Sequence, residues 1–253
     1  MKSYKLIGNG LQKVLLFPGL LGTQNAFDEA LQYADVERYQ YAVVDYRGYG
    51  ASKNLAGLFT LREAVIDACK LVEFLGWQKF SVGGHSMGAL TAQMVAIAMP
   101  RRVASILSIA GVSAKGTKPD AERAALLKDA ARDPKSRELL VVAGTADRYT
   151  EGFARELVAA TFDQIAPDAF ASYAKDVSHT DVSDDARILA LPMLALVGQF
   201  DPACGEQVAR EKISAIYAET VIEVVQGAGH YPHVEAPAAT VSFVERFLER
   251  GGG

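Results

Sequence analysis

Cysteine is nearly missing: Cys69 and Cys204 are the only two in 253 residues. A disulfide framework is therefore not indicated, and a reducing cytoplasm fits. Cys69 falls on the apolar face of a predicted helix, where packing is its expected role. No basic run or stripe appears, and the net charge of −4 comes from scattered residues of both signs, so nucleic acid is not an expected partner. No apolar run is long enough to span a bilayer, which argues against a membrane role. The stretch Met1 to Gly10 lacks the apolar core of a signal peptide. No internal repeat or low-complexity linker is visible. What remains is 50% hydrophobic and 22% charged, the make-up of a folded chain long enough for one large α/β domain with a sizeable core. The C-terminal Gly251-Gly252-Gly253 reads as a frayed tail.

Strand-like and helix-like patterns alternate along the chain. Tyr4 to Ile7 is a short candidate strand. Lys13 to Phe17 is a continuous apolar run, as expected of a strand covered on both faces. After Pro18-Gly19 and the loop to Thr23, a helix is expected from about Gln24 to Ala34. Tyr39 to Asp45 reads as the next strand, and Thr60-Leu61-Arg62-Glu63 as a capping box opening a helix that Gly76 ends. Lys79 to Gly83 and Val103 to Ala110 are further strands. From about Val112 to Ala190 the chain reads mostly helical. Pro192 to Gly198 and Val221 to Val225 resume the sheet, with helices over roughly Gly205 to Tyr217 and Pro237 to Glu249. Strands separated by helices predict a parallel sheet with helices on both faces. The division is a core of residues 1–111 and 191–253, with 112–190 inserted as a helical cap over the carboxyl ends of the strands.

The chemistry centres on Gly84-His85-Ser86-Met87-Gly88, set between the Lys79 strand and the helix Ala89 to Met99. Strand, G-x-S-x-G, helix is a nucleophile elbow. The sharp turn pushes the Ser86 hydroxyl above the sheet in a strained conformation. Gly84 and Gly88 permit the close approach of the two backbones. The amide of Met87, at the helix N-terminus, points to where negative charge would develop on an attacked carbonyl. A second such amide is expected from Leu20, just past Pro18-Gly19, with the side chains of Leu20 and Leu21 as an apolar wall.

An attacking serine needs a base, and the base an orienting acid. His230 follows the last strand through Gln226-Gly227-Ala228-Gly229, which sets it at the same sheet edge as Ser86. Asp201 follows the Pro192 strand through Gly198-Gln199-Phe200, again at that edge. The order Ser86, Asp201, His230 suits the elbow. His85 is expected to support the elbow, and His233 to be supporting or exposed. A competing pair exists: Leu139 to Ala143 resembles a strand leading to Asp147, with His179 beyond. His179, however, follows a helical stretch rather than a strand and glycine loop.

Phe17-Pro18-Gly19-Leu20, Asp45-Tyr46-Arg47-Gly48-Tyr49-Gly50-Ala51-Ser52, the elbow, Gly198-Gln199-Phe200-Asp201 and Gly227-Ala228-Gly229-His230 together resemble the α/β-hydrolase superfamily across nearly the whole chain. The resemblance implies an eight-stranded, mostly parallel sheet with a helical cap inserted after the sixth strand. It implies Ser86 as nucleophile, His230 as base and Asp201 as acid, with the amides of Leu20 and Met87 as oxyanion hole. Two positions depart from it. Pro18-Gly19 stands where many relatives have His-Gly, so the oxyanion loop must be braced some other way. Ala89-Leu90 stands where many have a further glycine.

The expected reaction is hydrolysis of a small, largely apolar carboxylic ester or lactone through an acyl-enzyme, with no cofactor and no metal; the expected partner is that small-molecule substrate alone. The same triad could serve C–C bond hydrolysis or a cofactor-free elimination, and a ligand-binding protein on this scaffold is a third reading. Chemistry on an acidic substrate would call for a positioned arginine; Arg148 and Arg155 read equally as solvated residues. Phe153, Leu157, Phe162, Phe170 and Tyr173 are cap candidates for pocket walls, with helix packing as the competing role of each.

Overall fold

The structure is a computed structural model that describes residues 3–251. Its strands are β1 (Tyr4–Ile7), β2 (Gln12–Phe17), β3 (Tyr39–Val44), β4 (Phe80–His85), β5 (Val103–Ile109), β6 (Met193–Gly198) and β7 (Thr220–Val225). They form one sheet in the order β1-β3-β2-β4-β5-β6-β7. Every pairing is parallel except β1 with β3. The resemblance implied eight strands. The described residues form seven, because β1 is itself the edge and nothing among them pairs with its outer side. Every residue of β4 and of β6 is buried, as strands covered on both faces must be.

The helices are α1 (Asp28–Leu31), α2 (Leu61–Phe74) and α3 (Met87–Ala98), then α4 (Ala121–Asp129), α5 (Pro134–Gly144), α6 (Glu151–Ala159), α7 (Pro167–His179) and α8 (Ser183–Arg187) between β5 and β6. After β6 come α9 (Glu206–Val208), α10 (Pro232–Glu235) and α11 (Pro237–Gly251). One apolar cluster joins one face of the sheet to α2, α3 and the helices between β5 and β6; another joins the opposite face to α1 and α11.

Four local expectations change. Only Asp28–Leu31 of the helix expected over Gln24 to Ala34 is α-helical, because the preceding residues close three-residue turns, Ala26 N to Thr23 O and Asp28 N to Asn25 O. The strand-like Leu139 to Ala143 lies inside α5. Asp133 caps that helix by accepting from the amides of Lys135 and Ser136, and Pro134 supplies a first-turn φ. The helix expected from Gly205 to Tyr217 is the single turn α9 followed by a π-helical turn, Ala209–Ile213. The last helix runs on through Gly251, so the expected frayed tail is helical at its first residue; Gly252 and Gly253 lie outside the described residues.

Two of the buried polar side chains lie in largely apolar or aromatic surroundings. Arg137 of α5 is wholly inaccessible. Its Nε donates to Ala130 O at 2.7 Å and its Nη2 to Ala131 O at 3.4 Å, the carbonyls just past the end of α4. Its guanidinium lies between the rings of Phe162 and Phe170, at 4.5 and 4.4 Å. A cation at the carbonyl end of a helix is favourable, and the two rings replace water on its faces. His233 of α10 packs on Phe27 and His85, ring to ring at 5.0 and 4.3 Å, with no hydrogen-bond partner for Nδ1. Burial, aided by the nearby His230, pushes its pKa down to about 3.

Arg137→Ala should lower the unfolding free energy by about 3 kcal/mol, from the cavity and the two orphaned carbonyls. Arg137→Lys should recover less than half, since an ammonium can neither fork over two carbonyls nor lie flat between two rings; urea titration of both variants is the check. Between about pH 6 and 4 the unfolded chain protonates His233 and the native chain does not. Stability should therefore fall with acidification, by about 1.4 kcal/mol per pH unit from this group. Urea midpoints of His233→Leu should show a shallower acid limb; an unchanged slope would remove His233 from the account.

Candidate active site

Ser86 takes φ +52° and ψ −115° between β4 and α3. A non-glycine residue there is strained and must be held. Its amide donates to Ile109 O at the end of β5 (3.0 Å), and its carbonyl accepts from Ala89 (3.0 Å) and Val112 (3.1 Å). The strand and helix touch so closely that a Cβ on Gly88 would lie 2.2 Å from Phe17 O, and one on Gly84 2.4 Å from the Gly88 carbonyl carbon.

The three residues singled out at the carboxyl edge lie together. The Ser86 hydroxyl is 3.0 Å from His230 Nε2. On the other side of the ring, His230 Nδ1 is 2.8 Å from Asp201 Oδ2, where its N–H donates. Asp201 Oδ1 accepts from the amides of Ala203 and Cys204, both at 2.9 Å. Burial raises the Asp201 pKa, but the His230 charge and hydrogen bond and the two amides outweigh it, and the net shift is downward. Asp201 is thus a carboxylate at neutral pH, buried beneath the imidazole it orients.

His230 is held through its backbone as well. Its amide donates to Gly144 O, the last residue of α5, at 2.9 Å. Its carbonyl accepts from His85 Nε2 at 2.7 Å. Burial, with His233 and His230 adding to it, pushes the His85 pKa well below its ordinary value, so His85 is a neutral donor. The loop around His230 turns on Glu235, whose side chain is wholly buried. Glu235 accepts from Gly229 N (2.7 Å), Tyr231 N (2.8 Å) and Arg148 Nη1 (3.1 Å). Arg148 also donates to Gly227 O and lies over the rings of Tyr149 and Phe200. It is a latch between the α5–α6 connection and the His230 loop, not a solvated residue; Arg155 is exposed. Neither Glu235 nor this use of Arg148 carries a local sequence signal, since the partners lie 87 residues apart.

The loop Pro18 to Gly22 is braced by tyrosines from the Asp45–Ser52 stretch. Tyr46 Oη donates to Pro18 O at 3.3 Å and lies 3.1 Å from Thr91 Oγ1; Tyr49 Oη donates to Leu20 O at 3.1 Å. Beneath the loop, Gly19 rests on the His85 ring, where a Cβ would stand 2.5 Å from Nδ1. The Gly19 carbonyl is turned back to the Gly22 amide (3.0 Å), so the Leu20 N–H of the same peptide plane faces the other way.

Ser86 and His230 open onto a cavity of about 320 Å³ whose walls include Leu20, Met87, Leu127, Leu140 and Val177. Of the cap candidates, none lines it. Phe153 and Leu157 line a separate cavity of about 590 Å³ across the wall formed by Leu21, His85 and Tyr231. Phe162 and Phe170 enclose Arg137, and Tyr173 packs on Tyr46 and Tyr49. The competing pair does not meet the serine: His179 is exposed at the end of α7, bonded to Lys175 O, and Asp147 closes a turn onto Val142 O. Cys204 Sγ, an Asp201 oxygen and a His230 nitrogen lie within 4.8 Å of one another. Burial pushes the Cys204 thiol up and keeps it protonated, and Asp201 is already occupied by three donors, so the trio is poorly suited to ligate a metal.

The chain is 26% identical over 259 residues to 3-oxoadipate enol-lactonase 2 of Acinetobacter baylyi, covering 98% of this chain and 93% of the relative. It is 25% identical over 260 residues to the pimeloyl-[acyl-carrier protein] methyl ester esterase of Serratia marcescens, covering 97% of each. A thermophilic esterase from Thermogutta terrifontis superposes with a TM-score of 0.85 at 22% identity, over 98% of this chain and 93% of that one. The model of the alpha/beta hydrolase family matches residues 14–243. With nine-tenths of the chain inside that match, the protein belongs to the alpha/beta hydrolase family.

Proposed function

We propose that the chain is a serine hydrolase that cleaves a small, largely apolar carboxylic ester or lactone through an acyl-enzyme. The observation that carries this reading is the unbroken relay from Ser86 Oγ through His230 to the Asp201 carboxylate, at 3.0 and 2.8 Å. Ser86 attacks the carbonyl carbon while His230 Nε2 takes its proton. Asp201 keeps the imidazole in the required tautomer and stabilises the imidazolium. The tetrahedral oxyanion is received by the amides of Met87, unpaired at the first turn of α3, and Leu20. His230 then passes the proton to the departing alcohol, or to the ring oxygen of an opened lactone. Water, activated by the same imidazole, releases the acid. No cofactor enters this scheme. Residues 112–190 act as the cap over the core of 1–111 and 191–253, and the free thiols Cys69 and Cys204 suit a reducing cytoplasm.

Ser86→Ala should lower kcat for p-nitrophenyl acetate on the order of a million-fold and abolish labelling by a fluorophosphonate, with the melting temperature retained. Normal turnover by that variant would refute the nucleophile. Asp201→Asn should cost on the order of ten-thousandfold in kcat through the wrong imidazole tautomer. Tyr49→Phe frees the Leu20 carbonyl and should lower kcat by about tenfold while moving KM little, because it loosens a transition-state donor and not the pocket wall; a pure KM effect would show that the tyrosine braces the pocket instead.

A further inference from the structure

The catalytic cavity is apolar within and positively charged at its mouth. Its charged walls are Lys118, Arg123 and Lys212, and no aspartate or glutamate lines it. The three come from separate places: the loop before α4, α4 itself, and the π-helical turn after α9. They converge on a chain whose net charge is −4, so their clustering does not follow from general basicity. Lys118 and Lys212 are exposed, whereas Arg123 is half-buried. Among the described residues its guanidinium has no ion-pair or hydrogen-bond partner. Of the other described cations between β5 and β6, Arg132 pairs with Asp168, Lys135 with Glu138 and Arg148 with Glu235, while unpaired ones such as Lys128, Arg155 and Lys175 are exposed to solvent. The field of Arg123 reaches the Tyr231 hydroxyl and the Cys204 thiol, and that of Lys212 reaches the same thiol. Both cations therefore lie toward the wall beside His230. The Asp201 charge on that side is already met by two amides and the imidazole, so it does not compete for them. A half-buried arginine without a partner, lining a largely apolar cavity, is free to pair with an anionic group of a ligand.

We infer that the substrate of this site is itself an anion: an ester or lactone carrying a carboxylate away from the scissile carbonyl, received by Arg123 at the cavity mouth. The guanidinium fork matches a carboxylate, Lys118 and Lys212 add their field, and the apolar interior accommodates the chain between carboxylate and ester. This inference takes from the hydrolase reading the bond that is cleaved, but the recognition of charge can be measured separately.

Two arms separate the claims. In the first, Ser86→Ala protein, shown folded by its melting curve, is titrated calorimetrically with monomethyl adipate and with dimethyl adipate. The monoanion should bind about tenfold more tightly, a difference of about 1.4 kcal/mol. That advantage should shrink to about twofold when Arg123→Gln is added, be partly restored by Arg123→Lys, and weaken in concentrated salt. In the second, wild-type protein is given the mono-p-nitrophenyl ester of adipic acid and its methyl-capped counterpart. The ratio of kcat/KM should favour the acid and fall in Arg123→Gln. Equal binding of the two methyl esters, or a preference that survives Arg123→Gln, overturns the inference. Preferred binding of the monoanion, with neither p-nitrophenyl ester hydrolysed and Ser86 unlabelled by fluorophosphonate, would uphold the anion site and refute the hydrolase reading.

Discussion

The contact between β2, β4 and α3 sets the terms for everything around it. Ser86 can stand in its left-handed conformation only if the chain turns at once from strand to helix, and that turn brings the first helical residues against the carbonyl of Phe17. Such a backbone costs on the order of 1–3 kcal/mol and persists only where its surroundings over-determine it. Here they do. The Ser86 amide and carbonyl are both bonded to the segment at the end of β5, and β4 is buried from end to end between β2 and β5. The central place of β4 has a second effect. The loop leaving β2 and the segment leaving β5 flank the serine on either side, so the loop carrying Leu20 and the anchor of the elbow come from neighbouring strands without long excursions.

The imidazole depends on a different kind of support. His230 sits on a loop, and loops are ordinarily the mobile part of a fold. Its amide is held by α5, its carbonyl by His85, and the residues before and after it by the carboxylate of Glu235. His85 ties two requirements together: its edge meets Gly19 under the loop after β2 while its Nε2 holds the His230 backbone. A displacement of that ring would disturb His230 and the loop after β2 at once. Because α5 and Arg148 belong to the segment between β5 and β6, the position of that segment is felt directly at His230. That segment is therefore mechanically part of the site even away from the cavity walls.

What the sequence discloses and what it hides follow from the range of the interactions. The elbow is local: a buried strand, five residues and an apolar helix carry it, and they stand where the pattern puts them. Asp201 and His230 are legible because each follows a strand of a parallel sheet, and parallel strands deliver their exits to one edge. Leu139 to Ala143 misleads because an apolar run of that length suits strand and buried helix equally; Asp133 and Pro134, a few residues earlier, decide it. The abrupt turns after Thr23 and the π-helical turn at Ala209 have no comparable marker. The aromatic residues between β5 and β6 suggest a pocket wall, yet Phe162 and Phe170 serve Arg137, whose burial no local pattern announces. The bracing of Pro18-Gly19 by Tyr46 and Tyr49 was likewise invisible, since it depends on two loops meeting across the sheet edge.

Three arginines from the segment between β5 and β6 show why function has to be read from partners rather than from residue type. Arg137 is held by two carbonyls and two rings, and its work is to fix the end of α4. Arg148 is held by Glu235 and Gly227, and its work is to fix the loop of His230. Arg123 has neither, although it is half-buried beside the cavity. The end of α4 that Arg137 secures is the far end of the helix that carries Arg123, so the buried arginine positions the open one. In an apolar surrounding an unmatched charge attracts more strongly than it would in water. On the proposed reading, the rigid core would determine which atom is attacked, and Arg123 would select which molecules bring that atom within reach.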